Sequence, residues 1–188
     1  GLDVDPIESA KTKERLRNQG FGEDIFTVRL QNFADIDKVV RDTGKKLDFV
    51  LADLGVSSMQ IDNPERGFSY KIDGPLDLRL NPQTGESAAE RLKKVTEEEL
   101  VGMLQENADE PYARQIAKEI ILTRHQGKPI ETTKDLHEVI KSALKFIHKN
   151  DFDATVKKSS QRTFQALRID VNEEYEVLYE LLEKIPRL

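Results

Sequence analysis

Apolar positions in the first third of the chain fall in short β-branched and aromatic runs separated by stretches with helical spacing, the alternation of an α/β protein. Residues 1–4 read as the end of a strand. Asp5-Pro6 then opens a helix, because proline fits the first turn, where a missing N–H is harmless, and Asp5 is read as its N-cap. The helix continues over 11–18 and stops at Gly20 and Gly22. Residues 25–30 (Ile-Phe-Thr-Val-Arg-Leu) predict a second strand and 36–41 a short helix. Residues 47–51, running on into Ala52-Asp53-Leu54-Gly55, are apolar on both faces, which predicts a strand buried inside a parallel sheet.

Beyond Gly55 the pattern changes. Residues 57–82 carry Pro64, Gly67, Gly74, Pro75 and Pro82, a long irregular stretch of the kind that is usually functional in a compact domain. From there the spacing is helical. Thr96-Glu97-Glu98-Glu99 matches a capping box ahead of Leu100, and Asp109-Glu110-Pro111 starts a helix with Tyr112, Ile116 and Ile120 four apart. Thr132 or Thr133 caps the next, whose Leu136, Val139, Ile140, Ala143, Leu144 and Ile147 lie on one face. A last pattern holds Phe164, Leu167, Val171, Tyr175, Leu178 and Leu182 as one helical stretch. No internal repeat or low-complexity tract interrupts it.

Composition narrows the chemistry. With 188 residues, 37% hydrophobic and 34% charged, the chain has material for a core and reads as a soluble globular protein. No apolar run approaches the roughly 20 residues of a membrane span, and residues 1–5 do not resemble a signal peptide, so a cytoplasmic address is expected. The absence of cysteine removes disulfides and thiolate chemistry, and the three scattered histidines, His125, His137 and His148, suggest neither a triad nor a metal site. Charge is uneven. Residues 110–168 hold 12 Lys and Arg against 7 Asp and Glu, a net of +5, so the remainder of a chain of net −6 carries −11. A basic helical part beside an acidic α/β part suggests RNA, and the plainer reading is solvated helix faces.

Acids at strand ends are the first candidates for binding. Asp3 and Asp53 each follow an apolar run, and ligands of open α/β sheets bind beyond the carboxyl ends of strands. Each accepts ribose hydroxyls on that reading, or caps a helix on the structural one. Phe33, after the second predicted strand, is placed either to stack on a purine or to fill the core. Gln60, with Ser57 and Ser58, offers polar contacts to a ligand or simply completes a turn.

Four blocks carry a resemblance. Asp53-Leu54-Gly55-Val56-Ser57-Ser58, Glu65-Arg66-Gly67-Phe68-Ser69, Gly74-Pro75-Leu76-Asp77-Leu78-Arg79, and Arg162-Thr163-Phe164-Gln165-Ala166-Leu167-Arg168-Ile169 with Val171-Asn172 resemble the RsmH, or MraW, family. These are bacterial S-adenosylmethionine-dependent methyltransferases that modify N4 of a cytosine in 16S rRNA. The resemblance implies a partial doubly wound, Rossmann-like class I methyltransferase core, residues 1–64 and 162–188, with a helical insertion at 65–161. It implies that S-adenosyl-L-methionine is held by Asp3 at the ribose, Phe33 beside the adenine, Asp53, and Gln60 near the methionine end, with Asp53 as the catalytic candidate at the amine. The implied partner is 16S rRNA in the small ribosomal subunit, with no metal and no membrane. Leu78 and Leu80 stand where the family usually has methionines, a volume-preserving change.

The family's first strand and glycine-rich loop are expected before Gly1, and its Pro-Gly-Gly and Ser-Phe-His-Ser-Leu-Glu-Asp-Arg segments after Leu188. The chain therefore reads as an internal fragment that on its own binds cofactor weakly or not at all and transfers no methyl group. The alternatives are a non-catalytic RNA- or protein-binding helical module, or a methyltransferase of another nucleic acid.

Overall fold

A computed structural model describes residues 1–187. The chain forms two compact units, one of Gly1–Gly55 with the segment that begins at Glu173, the other Val56–Asn172. These seams differ from the 64/65 and 161/162 boundaries that the resemblance implies.

In the first unit, β1 (Leu2–Asp3) and β2 (Arg29–Leu30) pair in parallel, Leu2 opposite Arg29 and Asp3 opposite Leu30. α1 (Pro6–Asn18) makes the crossover between them. Its start is as expected: Asp5 Oδ1 accepts from the Ile7 and Glu8 N–H groups at 2.9 and 3.2 Å, and Pro6 occupies the first turn. Gly20, with φ of 89°, turns the chain out of the helix, and the Phe21 N–H donates back to Leu16 O at 2.9 Å. α2 (Ile36–Thr43) follows a 3-10 turn at Phe33–Asp35, and α9 (Glu174–Lys184) packs on both. There Lys184 Nζ donates to Ala34 O at 2.6 Å and pairs with Asp37 at 3.4 Å.

Two expected strands fall short. The strand expected at 25–30 is confined to Arg29–Leu30, because the N–H groups of Ile25 and Phe26 both turn back to Gly22 O, at 3.0 and 2.9 Å. The buried strand expected at 47–51 does not form, and Phe49 and Leu51 are 78% and 80% exposed. A parallel strand is buried only by neighbours on its edges and layers on its faces, and among the described residues no strand pairs with this run. The chain is thus mostly helical, with a two-stranded parallel sheet.

The second unit is built from α3 (Ser58–Ile61), α4 (Ala88–Lys94), α5 (Glu97–Ala108), α6 (Ala113–His125), α7 (Thr133–Ala143) and α8 (Lys149–Val171). α5 packs on α6 and α8, and α7 packs on α6 and α8. Their shared core includes Leu100, Leu104, Ile116, Ile120, Leu136, Ile140, Phe164 and Leu167. Reciprocal capping boxes start four of these helices, Thr96 with Glu99 as the sequence suggests, Thr132, one of the two expected caps, with Asp135, and Ser57 with Gln60 and Ser87 with Glu90 besides. The helical pattern expected to run unbroken through 164–182 divides into α8 and α9. Glu173 takes a left-handed φ of 49° between them.

The irregular stretch is a knot of backbone. An added Cβ at Gly67 would lie 2.3 Å from Pro75 O, and one at Gly74 would lie 2.1 Å from Pro64 O, so these segments approach as only glycine permits. Buried Arg66 donates from Nη2 to Arg79 O and Leu80 O at 3.1 and 2.8 Å and accepts at its own carbonyl from the Leu78 N–H. Leu78 is fully buried with φ of 64°, a conformation that costs a non-glycine residue roughly 1–2 kcal/mol. Asn172 completes the clamp. Its side chain accepts from the Leu80 N–H at 2.7 Å and donates to Leu78 O and Arg168 O at 2.7 and 2.8 Å.

Nearby, His137 stacks on Tyr70 with ring centroids 4.8 Å apart, and its Nδ1 lies 2.9 Å from Ser160 Oγ. Burial lowers its pKa below the ordinary value; Glu138 opposes this shift and Lys141 adds to it.

Asn172→Ala strands the Leu80 N–H and the Leu78 carbonyl, while Arg168 O keeps the backbone N–H of residue 172, and is expected to destabilise this unit by about 2–4 kcal/mol in urea unfolding, against under 1 kcal/mol for an exposed control such as Gln161→Ala. The lowered folded-state pKa of His137 means that the unfolded chain takes up the proton first. Stability is therefore expected to be intact above the ordinary histidine value of 6.5 and to fall as pH drops through it toward the folded-state pKa. His137→Phe, which keeps the stack and cannot charge, should flatten that part of a melting-temperature profile against pH.

Candidate functional site

The parallel pairing brings two of the four candidate residues together. Asp3 ends β1, opposite the Leu30 that ends β2, and the Gln31 N–H donates to Asp3 O at 2.8 Å. Phe33 follows three residues later, where the Asn32 side chain accepts from the Ala34 N–H at 2.9 Å and turns the chain into the Phe33–Asp35 turn. An acid and a half-buried ring therefore stand at the carboxyl ends of adjacent parallel strands, the ligand-binding edge of open α/β sheets.

The environment of Asp3 is acidic. Its Oδ1 accepts from the Asp5 N–H at 2.9 Å. Desolvation raises its pKa, the N–H groups of Asp5 and Val4 lower it, and the charges of Asp5 and Glu8 push it up again. Glu8 is a residue that the sequence reading passed over. It is buried, its Oε1 accepts from Lys11 Nζ at 2.9 Å, and its Oε2 is buried with no hydrogen-bond partner. The available signal was its place three residues after the N-cap Asp5, where Glu commonly turns back into the helix start. Carboxylates crowded in this way favour a ligand that brings hydroxyl or N–H donors.

The other two candidates lie outside this strand pair. Asp53 is exposed in the extended segment before Gly55, whose φ is 106°. Gln60 belongs to the other unit, on α3, where it completes a capping box: its Oε1 accepts from the Ser57 N–H at 2.8 Å, and its own N–H donates to Ser57 Oγ at 3.3 Å. The turn reading of Ser57 and Gln60 is the one that these bonds express.

The helical unit carries the basic residues. Along α8, Val156, Ser159, Ser160 and Thr163 face inward, which leaves Lys157 and Lys158 exposed and Arg162 half-buried. Among the described residues, none of those three cations makes an ion pair. Among the same residues no group of three or more His, Cys, Asp or Glu is placed to hold a metal ion, and no helix is long and apolar enough to cross a membrane.

Comparison with known proteins agrees with the motifs. A family model described as the MraW methylase family matches residues 1–188. The chain is 61% identical over 184 residues to a protein named ribosomal RNA small subunit methyltransferase H 1 of Agathobacter rectalis, covering 98% of this chain and 52% of that one. A protein of the same name from Lachnoclostridium phytofermentans is 60% identical over 187 residues, covering 100% of this chain and 51% of the relative. Ribosomal RNA small subunit methyltransferase H of Thioalkalivibrio sulfidiphilus is 44% identical over 190 residues, covering 57% of its own length. The chain spans about half the length of the curated relatives it matches.

Proposed function

The chain belongs to the MraW methylase family, and from that premise we propose that the whole protein transfers a methyl group from S-adenosyl-L-methionine to N4 of a cytosine in 16S rRNA. The observation that supports this reading is the pairing of β1 with β2, with Asp3 at the carboxyl end of one strand and Phe33 three residues past the end of the other. In it, residues 1–64 and 162–188 belong to a Rossmann-like core, and 65–161 form a helical insertion. The exposed Phe49 and Leu51 support a sheet that continues over them in the whole protein. The setting is the cytoplasm, and the partner is the small ribosomal subunit.

The residues fit the cofactor at the nucleoside end. Asp3 accepts the ribose hydroxyls; the buried, unpartnered Glu8 Oε2 beside it marks a place where donors are welcome. Phe33 offers its ring to the adenine, and Gln60 belongs toward the methionine end. When bound, the cofactor supplies an electrophilic sulfonium methyl. The exocyclic amine of cytosine is a poor nucleophile, because its lone pair is delocalised into the ring, so alignment contributes much of the rate. Asp53 is the residue to orient that amine or take its proton. A base in folded RNA must also leave its stack, which costs a few kcal/mol, and phosphate contacts from Lys157, Lys158 and Arg162 on α8 help to hold the strand while it does.

A second reading, a non-catalytic RNA- or protein-binding module, is favoured by one observation: the Val56–Asn172 unit has a continuous core of its own. Cofactor titration separates the two. In the whole protein, Asp3→Ala removes a charge-assisted contact of roughly 1.5–3 kcal/mol and should weaken S-adenosylmethionine binding about ten- to a hundredfold by calorimetry. Unchanged affinity removes Asp3 from the site, and no cofactor binding at all leaves the module reading standing. Reversing Lys157, Lys158 and Arg162 to Glu should lower rRNA affinity and flatten its dependence on salt in filter-binding titrations; an unchanged slope returns these residues to an ordinary solvated face.

A further inference from the structure

The connection between α7 and α8 holds an aromatic ring in solvent, and the packing on either side explains why it stays there. α7 ends at Ala143, Leu144 is fully buried, and Ile147 packs against the same core. The Ile147 N–H donates to Leu144 O at 2.9 Å and closes the turn. Lys145 and Phe146 lie between these two anchors and cannot fold inward without pulling one of them out. Phe146 is 60% exposed, the one exposed aromatic side chain among the described residues of this unit. Its ring is nevertheless held: Tyr112 meets it at 68°, with centroids 5.8 Å apart. A single edge contact of that kind occupies at most one face of the Phe146 ring and leaves the other open.

The surroundings are cationic. Residues 141–150 include Lys141, Lys145 and Lys149 and no acid. Lys141 is paired with Glu138, whereas Lys145 and Lys149 are exposed and make no ion pair among the described residues. His148, also exposed, accepts at Nδ1 from the Asn150 N–H at 3.3 Å, an assignment that leaves Nε2 as the ring donor. Asp151 and Asp153 follow on the first turns of α8 and are the nearest acids in sequence. An open aromatic face with exposed, unpaired lysines one residue before it and three after it in the chain suits single-stranded nucleic acid, the base on the ring and the phosphates on the cations. An apolar protein surface would leave those ammonium groups to be desolvated without partners.

We propose that Phe146, steadied by Tyr112 and flanked by Lys145 and Lys149, is a stacking platform for one unpaired nucleotide of an RNA strand. The proposal rests on the reading that RNA is the substrate, and it adds a place where the strand is gripped through a base other than through the phosphates along α8.

The chain contains no tryptophan, so Phe146→Trp installs a single indole reporter at the platform. A short single-stranded uridine oligonucleotide is expected to quench that emission on binding, while a duplex of the same length leaves it unchanged. Phe146→Ala, with helix content and melting temperature unaltered, is expected to lose about tenfold or more in affinity for the single strand and to change little for the duplex. Equal quenching by strand and duplex, or an unchanged single-strand affinity of Phe146→Ala, overturns the platform. The Lys157, Lys158 and Arg162 reversal tests the RNA reading separately. If it weakens binding and Phe146→Ala does not, the platform alone falls; if the unaltered chain binds neither RNA, both fall.

Discussion

Backbone groups removed from water must find partners, and between residues 67 and 80 no regular helix or strand supplies them. Backbone of other segments meets part of the need, as where the Leu76 N–H donates to Glu131 O, and two long polar side chains meet much of the rest. Arg66 reaches the carbonyls of Arg79 and Leu80, and Asn172 takes the Leu80 N–H and the Leu78 carbonyl. That satisfaction lets Leu78 remain fully buried in a left-handed conformation, and it ties the last turn of α8 to the loop ahead of α4. The motifs that mark the family in this region, around Gly67, Gly74 and Asn172, are thus parts of one clamp, and the helical core is assembled against it.

The other unit is governed by a different need. β1 and β2 satisfy each other along one edge only, and that one pairing positions both Asp3 and Phe33. The helix-start acids around it do double duty. Asp5 caps α1, the Asp5 N–H holds Asp3, and Glu8 closes the cluster from the first turn of α1. Partial desolvation, with the nearby charges of Asp5 and Glu8, raises the pKa of Asp3, an exposed residue, and its carboxyl favours a neighbour that donates hydrogen bonds.

What was legible in the sequence was local. Thr96 with Glu99, the Thr132-Thr133 pair and Asp5 with Pro6 announced helix starts because a cap is made by residues within one turn of each other. The apolar faces of α5, α6 and α7 were legible for the same reason, since each helix carries its own period. The run at 47–51 forms no strand here because burial of a parallel strand is a property of its neighbours, and none of its own residues encodes their presence. The division of α8 from α9 escaped the apolar pattern because Asn172 and Glu173 break the helix through a side-chain clamp ninety-odd positions away in sequence. At the candidate site, the strand-end placement of Asp3 and Phe33 was readable. Glu8 was not, because what distinguishes it is a buried oxygen without a partner, visible only once the surroundings are folded. Phe146 is set apart only by its buried neighbour Leu144 and the core-packed Ile147, whose anchoring exists only in the folded chain.

The clamp also bears on the order in which the chain can fold. α5, α6 and α7 meet neighbours close in sequence, so their packing needs little chain to be brought together. The bond from Asn172 to Leu78 joins residues 94 positions apart. During synthesis from the N-terminus, the left-handed Leu78 turn leaves the ribosome long before the residue that stabilises it exists. The local bonds of Arg66 can form early, but the Asn172 bonds to Leu78 and Leu80 are a late event in the life of each molecule, and until then those two backbone groups are left to water.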